Sequence, residues 1–156
     1  MSVNQLRILQ WNVGKRREPQ LSLLNDRNTQ LYAVLLIQEP NNFTPKDQDT
    51  PIVPSHHYWE PILPHTRILG AYGKRFRSMI YVQKRESFQQ IEVDSPDLTA
   101  VVLKRGSLRI LCISAYTAQT SSPAESLTVL QTNIKLIEDT ISKTRANHPE
   151  IGRAHV

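Results

Sequence analysis

A chain of 156 residues has room for one core, and its 39% hydrophobic and 21% charged content suits a packed domain rather than a fibrous or low-complexity protein. Nineteen Lys and Arg against fourteen Asp and Glu leave a net charge of +5, which fits an anionic partner such as nucleic acid, or a plain basic domain. The single cysteine, Cys112, excludes an intrachain disulfide, and no apolar run is long enough to span a membrane.

In chain order, residues 6–13 begin with apolar/polar alternation and predict a strand. Leu21, Leu24 and Leu31 sit at near-helical spacing and predict a short helix within 19–30. Residues 32–39 are almost continuously apolar, as in a strand buried on both faces. Pro40, Pro45, Pro51 and Pro54 make 40–56 a long loop, because proline neither donates to a ladder nor continues a helix. Strands are expected at 57–63, 78–84, 88–93, 98–104 and 108–116, the last two joined through Gly106 as a hairpin. Over 122–146, Leu127, Leu130, Ile134, Ile137 and Ile141 recur at steps of three and four, the apolar stripe of an amphipathic helix. Ser122, Pro123 and Glu125 supply its cap, first position and capping box. Cys112 reads as a small core residue. The expected class is α/β (α+β), with helices outside two sheets.

Three polar residues stand at strand ends. Asn12 follows Ile8, Leu9 and Trp11, and Glu39 closes the run from Val34 to Gln38. A carboxylate there sits on rigid backbone facing a loop-lined cleft and can hold Mg²⁺, which often takes only one or two carboxylates beside waters and phosphate oxygens. The amide of Asn12 can orient a phosphate or touch the metal without adding charge. Spacing alone favours the plainer reading, in which Asn12 caps a turn and Glu39 is a solvated carboxylate before Pro40. Tyr116 ends the last strand, where its hydroxyl can donate to a phosphate oxygen or its ring can pack on the following helix.

Leu-Arg-Ile-Leu-Gln-Trp-Asn-Val (6–13), Leu-Leu-Ile-Gln-Glu-Pro (35–40), Arg-Ser-Met-Ile-Tyr-Val (77–82), Asp-Ser-Pro-Asp-Leu-Thr-Ala-Val (94–101) and Ile-Ser-Ala-Tyr (113–116) occur in one order. The chain resembles the endonuclease/exonuclease/phosphatase superfamily over about residues 5–145. More closely, it resembles the endonuclease domain of non-LTR (LINE-type) retrotransposons, particularly those of fungi. The resemblance implies a four-layer α/β sandwich and phosphodiester hydrolysis of DNA with Mg²⁺, or Mn²⁺ in its place. It places Asn12 and Tyr116 on catalytic positions and Glu39 on the metal-binding glutamate.

The sequence departs from the family in two ways. Thr117-Ala118-Gln119 follows Tyr116 where the family has a proline-containing turn, and the family's later Gly-Asp-x-Asn and Ser-Asp-His segments are absent. The chain is therefore expected to be the N-terminal part of a longer domain, 1–149, and inactive by itself. Residues 150–156 are expected to be a non-native tail, since Glu-Ile-Gly-Arg-Ala-His-Val is what a common sequencing adapter encodes in frame.

Lys15, Arg16 and Arg17 follow Asn12 and are candidate contacts to DNA phosphates. Lys84-Arg85 and Lys104-Arg105 read as solvated turns, and His56-His57 as surface residues. The alternatives are a non-enzymatic basic nucleic-acid-binding fragment, and a superfamily phosphatase or abasic-site nuclease. The N-terminus lacks the layout of a secretory signal, so an intracellular location is expected, nuclear for an enzyme acting on genomic DNA.

Overall fold

The computed structural model describes residues 5–70 and 73–149; the tail at 150–156 and His155 lie outside these. Nine strands and two helices follow in order: β1 (Ile8–Asn12), α1 (Arg17–Asn25), β2 (Val34–Gln38), β3 (Trp59–Ile62), β4 (Ile68–Gly70), β5 (Gly73–Arg75), β6 (Ser78–Gln83), β7 (Ser87–Ile91), β8 (Leu98–Arg105), β9 (Leu108–Ala115) and α2 (Pro123–Asn147). One sheet runs β1-β2-β6-β3, with β1 and β2 parallel and the rest antiparallel. A second, antiparallel sheet runs β7-β8-β9, and β4 and β5 form a short separate ribbon.

Side-chain alternation along β2 explains its unbroken apolar run. Leu35 and Ile37 point to one face, where they meet Leu24 of α1 together with Trp59, Phe76, Met79 and Tyr81. Val34 and Leu36 point to the other, against Ile80, Val82, Val101, Leu103 and Cys112 between the sheets. Beyond the second sheet, Ala100, Val102, Leu111 and Ile113 pack against Leu136, Ile137 and Ile141 of α2. The layers are thus α1, sheet, sheet, α2, the four-layer sandwich expected from the sequence. Cys112 is a core residue, and burial pushes its thiol pKa up to about 12.

Three local expectations need correction. The helix expected within 19–30 stops at Asn25. Asp26 then accepts a hydrogen bond from the Asn28 amide at 2.8 Å and starts a tight 3-10 turn over Arg27–Leu31, because short polar side chains favour caps over helix interiors. The ribbon β4–β5 was not anticipated. In α2, Ser122 caps the Glu125 amide as expected, but only the C-terminal part of the stripe, Ile137 and Ile141, packs on the sheet. Leu127, Leu130 and Ile134 are 54, 42 and 46% exposed, while Asn133, Thr140 and Thr144 are buried. The face of α2 on the sheet is therefore rotated from the stripe, and the N-terminal part of the stripe lies on its flank.

Sheet contacts place β9 over β2 and β8 over β6. Edge strands β1 and β9 thus end their sheets on the same side, and among the described residues neither has an outer partner.

Candidate active site

Strand register gathers the site at one end of the sandwich. Asn12 pairs with Gln38 in the parallel β1–β2 ladder, so Asn12 and Glu39 emerge side by side. Gln38 also pairs with Ser78, which sets Arg77 beside Glu39, and the Glu39 amide donates to the Arg77 carbonyl at 2.9 Å. In the second sheet Leu98 pairs with Ala115, which sets Asp97 beside Tyr116, and the Tyr116 amide donates to the Asp97 carbonyl at 2.9 Å.

The side chains then close on one another. Asn12 Nδ2 donates to Glu39 Oε1 at 3.3 Å, and Asn12 Oδ1 accepts the Gly14 amide at 2.9 Å. The amide thus orients the carboxylate while its oxygen is spent on its own loop. Glu39 has φ +47, a left-handed conformation that costs a non-glycine residue about 1–3 kcal/mol and is found mainly at functional sites. It is held there from both sides, by its bond to Arg77 and by the Lys15 amide, which donates to the Glu39 carbonyl at 2.7 Å. Glu39→Gly is therefore expected to be more stable than Glu39→Ala by about 1 kcal/mol, read from their melting curves, although it deletes more of the side chain.

Sequence reasoning missed three members. Arg77 forms a bidentate ion pair with Asp97, Nε to Oδ1 at 2.6 Å and Nη2 to Oδ2 at 2.8 Å, and its guanidinium lies 5.6 Å from the centre of the Tyr116 ring. Asp97 is nearly buried, its side chain 7% exposed. Gln20 is fully buried, donates to the Tyr81 hydroxyl at 2.8 Å, and accepts the Asn41 amide at 2.8 Å, anchoring the loop after Glu39 to the core. The one available signal was a glutamine on the inner face of a predicted helix.

Tyr116 ionises above the ordinary tyrosine range. Partial burial disfavours the phenolate, the neighbouring Glu39 carboxylate raises the pKa further as a charge and as a hydrogen-bond partner, and Arg77 opposes both. The hydroxyl therefore stays protonated, as a donor, throughout the neutral range. Glu39→Gln removes the like charge and is expected to lower the Tyr116 transition in a phenolate absorbance titration, with Tyr116→Phe identifying it. At the strand exit, Asn133 of α2 donates to the Tyr116 carbonyl at 3.0 Å, fixing the turn that here lacks proline.

Of the three candidate DNA contacts, Lys15 alone lines the cleft beside Glu39; Arg16 and Arg17 line a neighbouring depression with Glu18. Lys104-Arg105 is not simply a solvated turn, because Arg105 pairs with Glu86 at 2.5 Å. Lys84-Arg85 is an exposed turn, as expected, with Arg85 donating to the Gln30 carbonyl at 3.4 Å. His56 and His57 stack with ring centres 4.3 Å apart, and His57 is exposed. Among the described residues no group of three or more His, Cys, Asp or Glu could hold a metal ion. The donor set at Glu39 thus fits a Mg²⁺ held by one carboxylate, waters and substrate oxygens, and does not fit an all-protein cage.

Two solved structures share this fold. The endonuclease domain of TRAS1, a telomere-specific non-LTR retrotransposon, superposes with a TM-score of 0.62 and 18% identity over 90% of this chain and 54% of that one. The AP endonuclease LMAP from Leishmania major superposes with a TM-score of 0.55 and 13% identity over 88% of this chain and 47% of that one. The chain thus spans about half the length of the structures it matches. No family model matches the sequence, and no curated protein does so significantly.

Proposed function

We propose that the chain is part of a metal-dependent phosphodiesterase that cuts DNA, of the kind retrotransposons use to nick their targets in the nucleus. The observation that carries this is the convergence of Asn12, Glu39 and Tyr116 from three strand ends beside a cleft with cations on its rim. The names of the two structural neighbours, both endonucleases, support it.

In this reading Glu39 holds the metal, Asn12 orients its carboxylate, and Tyr116, kept protonated, donates to a non-bridging oxygen of the scissile phosphate. A bound Mg²⁺ would neutralise phosphate charge and acidify a water. Arg77, its charge balanced by Asp97, lies over the Tyr116 ring and helps to hold it in place. No histidine–aspartate pair for proton transfer stands at this end among the described residues, so the 156-residue chain is expected to be inactive alone.

The test is duplex binding and plasmid nicking with Mg²⁺ or EDTA. The expected result is duplex binding that Mg²⁺ strengthens, an increment lost in Glu39→Ala, and no nicking above the Glu39→Ala background. Binding indifferent to both EDTA and Glu39→Ala would favour the second reading, a basic nucleic-acid-binding module without catalysis. That reading is favoured by the lack, among the described residues, of any group of three or more His, Cys, Asp or Glu that could hold a metal ion.

A further inference from the structure

At the end of the sandwich away from Glu39, three aromatic rings crowd together on the surface. His56 and His57 stack with ring centres 4.3 Å and planes 24° apart, and the Tyr58 ring lies 4.2 Å from His57 and 5.2 Å from His56. Tyr58 is 49% exposed and His57 is exposed too, while the next residue, Trp59, is fully buried. Trp59 pairs with Gln83 at one end of β6, and Ser78 at its other end pairs with Gln38, the neighbour of Glu39. The length of β6 therefore sets the rings about 17 Å from the candidate active site.

The turn after β6 brings cations to these rings. The Lys84 amide donates to the Tyr58 carbonyl at 3.0 Å, the Gln83 amide to the Ala33 carbonyl at 3.0 Å, and the Ala33 amide to the Arg7 carbonyl at 2.9 Å. Tyr58, Lys84 and Arg7 thus lie in one row across the strand ends. Arg7, Lys84 and Arg85 are exposed, and none pairs with a carboxylate among the described residues. Arg85 donates to the Gln30 carbonyl at 3.4 Å and Arg7 to Gln5 Oε1 at 3.3 Å, neutral partners that leave both charges in place. Glu86, the carboxylate of the turn itself, is taken by Arg105, and Glu60 on β3 is exposed. The rings are fixed as well, because the Tyr58 amide donates to His56 Nδ1 at 3.2 Å and the Trp59 amide to the His56 carbonyl at 3.0 Å. Rings and cations are therefore in place before a ligand arrives, and little entropy is left to lose.

An acidic peptide would use the cations and leave the rings idle. A duplex would offer phosphates but no base face, since its bases are stacked on one another. A single strand offers both, because every base has a π-face for an aromatic ring and every phosphate attracts cations. We propose that this end of the sandwich is a second nucleic-acid surface, where a base of a single strand stacks on the rings of His57 and Tyr58 and the adjoining phosphates lie along Lys84 and Arg85. Standing at the opposite end from Glu39, it leaves the cleft free for another nucleic acid, so the chain can hold two strands at once. The surface rests on neither the nuclease reading nor a metal.

The experiment measures anisotropy of labelled oligothymidylate and oligouridylate, and of the oligothymidylate–oligoadenylate duplex, with the full chain in EDTA. Tyr58→Ala is expected to weaken single-strand binding by about 5- to 100-fold and to leave duplex binding within about twofold of the parent. Tyr58→Leu keeps apolar bulk without a ring and is expected to behave like Tyr58→Ala, whereas Tyr58→Trp is expected to restore binding. Lys84→Gln is expected to lower the single-strand salt slope by about 0.7. A strand carrying photoreactive thiothymidine is expected to crosslink to the peptide that holds residues 56–58, in the parent and in Glu39→Ala alike. Whichever of the two oligonucleotides binds more tightly identifies the sugar the surface takes. Single-strand affinity within about twofold of the parent in both Tyr58→Ala and Tyr58→Leu, or an equal loss for the duplex, overturns the proposal. So does displacement of the strand by polyglutamate at equal charge concentration, which would reduce the surface to a plain patch of cations. Because neither metal nor Glu39 enters this binding, failure of the Mg²⁺ test sinks the nuclease reading and leaves this one standing, and the reverse holds too.

Discussion

Arg77→Met is expected to lower the unfolding free energy by about 3 kcal/mol, measured by urea denaturation. The substitution strands the Asp97 carboxylate, 7% exposed, without its partner, and stripping a buried ion of its counter-ion costs about 3–5 kcal/mol. The low end applies because the Arg77 side chain is 33% exposed, so water can reach the gap. The double variant Arg77→Met/Asp97→Leu is expected to recover much of the loss, because no charge is then left buried. A double variant as unstable as the single would show that shape rather than charge sets the cost. The pair also ties the site together, since its two carbonyls accept the amides of Glu39 and Tyr116. Its loss should therefore shift the Tyr116 titration upward, the direction expected when a neighbouring cation is removed.

Gln20→Leu has nearly the same volume and is expected to cost about 2–3 kcal/mol, because it orphans the Asn41 amide and takes a donor from the buried Tyr81 hydroxyl. The change is local enough to read directly. Hydrogen exchange at the Asn41 amide is expected to accelerate while exchange in β8 and β9 follows only the global loss. Equal acceleration throughout would mean that Gln20 supports the core and not the loop. The Tyr81 hydroxyl keeps its bond to the Pro54 carbonyl in either case, so the far end of the 40–56 loop stays tethered.

Much of this architecture was legible in the sequence because burial writes a period. The doubly apolar run of β2, the hairpin around Gly106 (φ +55) and the Ser122 cap all appear where the pattern places them. Asn12, Glu39 and Tyr116 were legible as strand-end polar residues, and the ladders bring those ends together. The ion pair of Arg77 and Asp97 was not, because its members lie in different sheets and no periodicity links them. The left-handed backbone at Glu39 was invisible for a related reason, since it is imposed by bonds from Lys15 and Arg77 rather than by local propensity. The ribbon β4–β5 has strands of three residues, too short to show alternation. The stripe of α2 misled because the helix turns a rotated face to the sheet, burying Asn133, Thr140 and Thr144, polar residues that an apolar spacing does not count.

Ser114 occupies an unusual place between the sheets. Its hydroxyl donates to the Ile37 carbonyl at 3.0 Å and accepts from Gln38 Nε2 at 3.0 Å, while its own carbonyl accepts from Ser78 Oγ at 2.7 Å. Apolar layers can slide over each other at little cost, but these bonds, all buried, act as a latch against that shear. The latch sits one residue before Glu39 and two before Tyr116. The spacing between the carboxylate and the phenol is thus set by the chassis rather than by their rotamers, and a substrate cannot pull them apart to suit itself. The 40–56 loop is moored to the same frame, at Asn41 by Gln20 and at Pro54 by Tyr81, so the wall beside the carboxylate is fixed along with it.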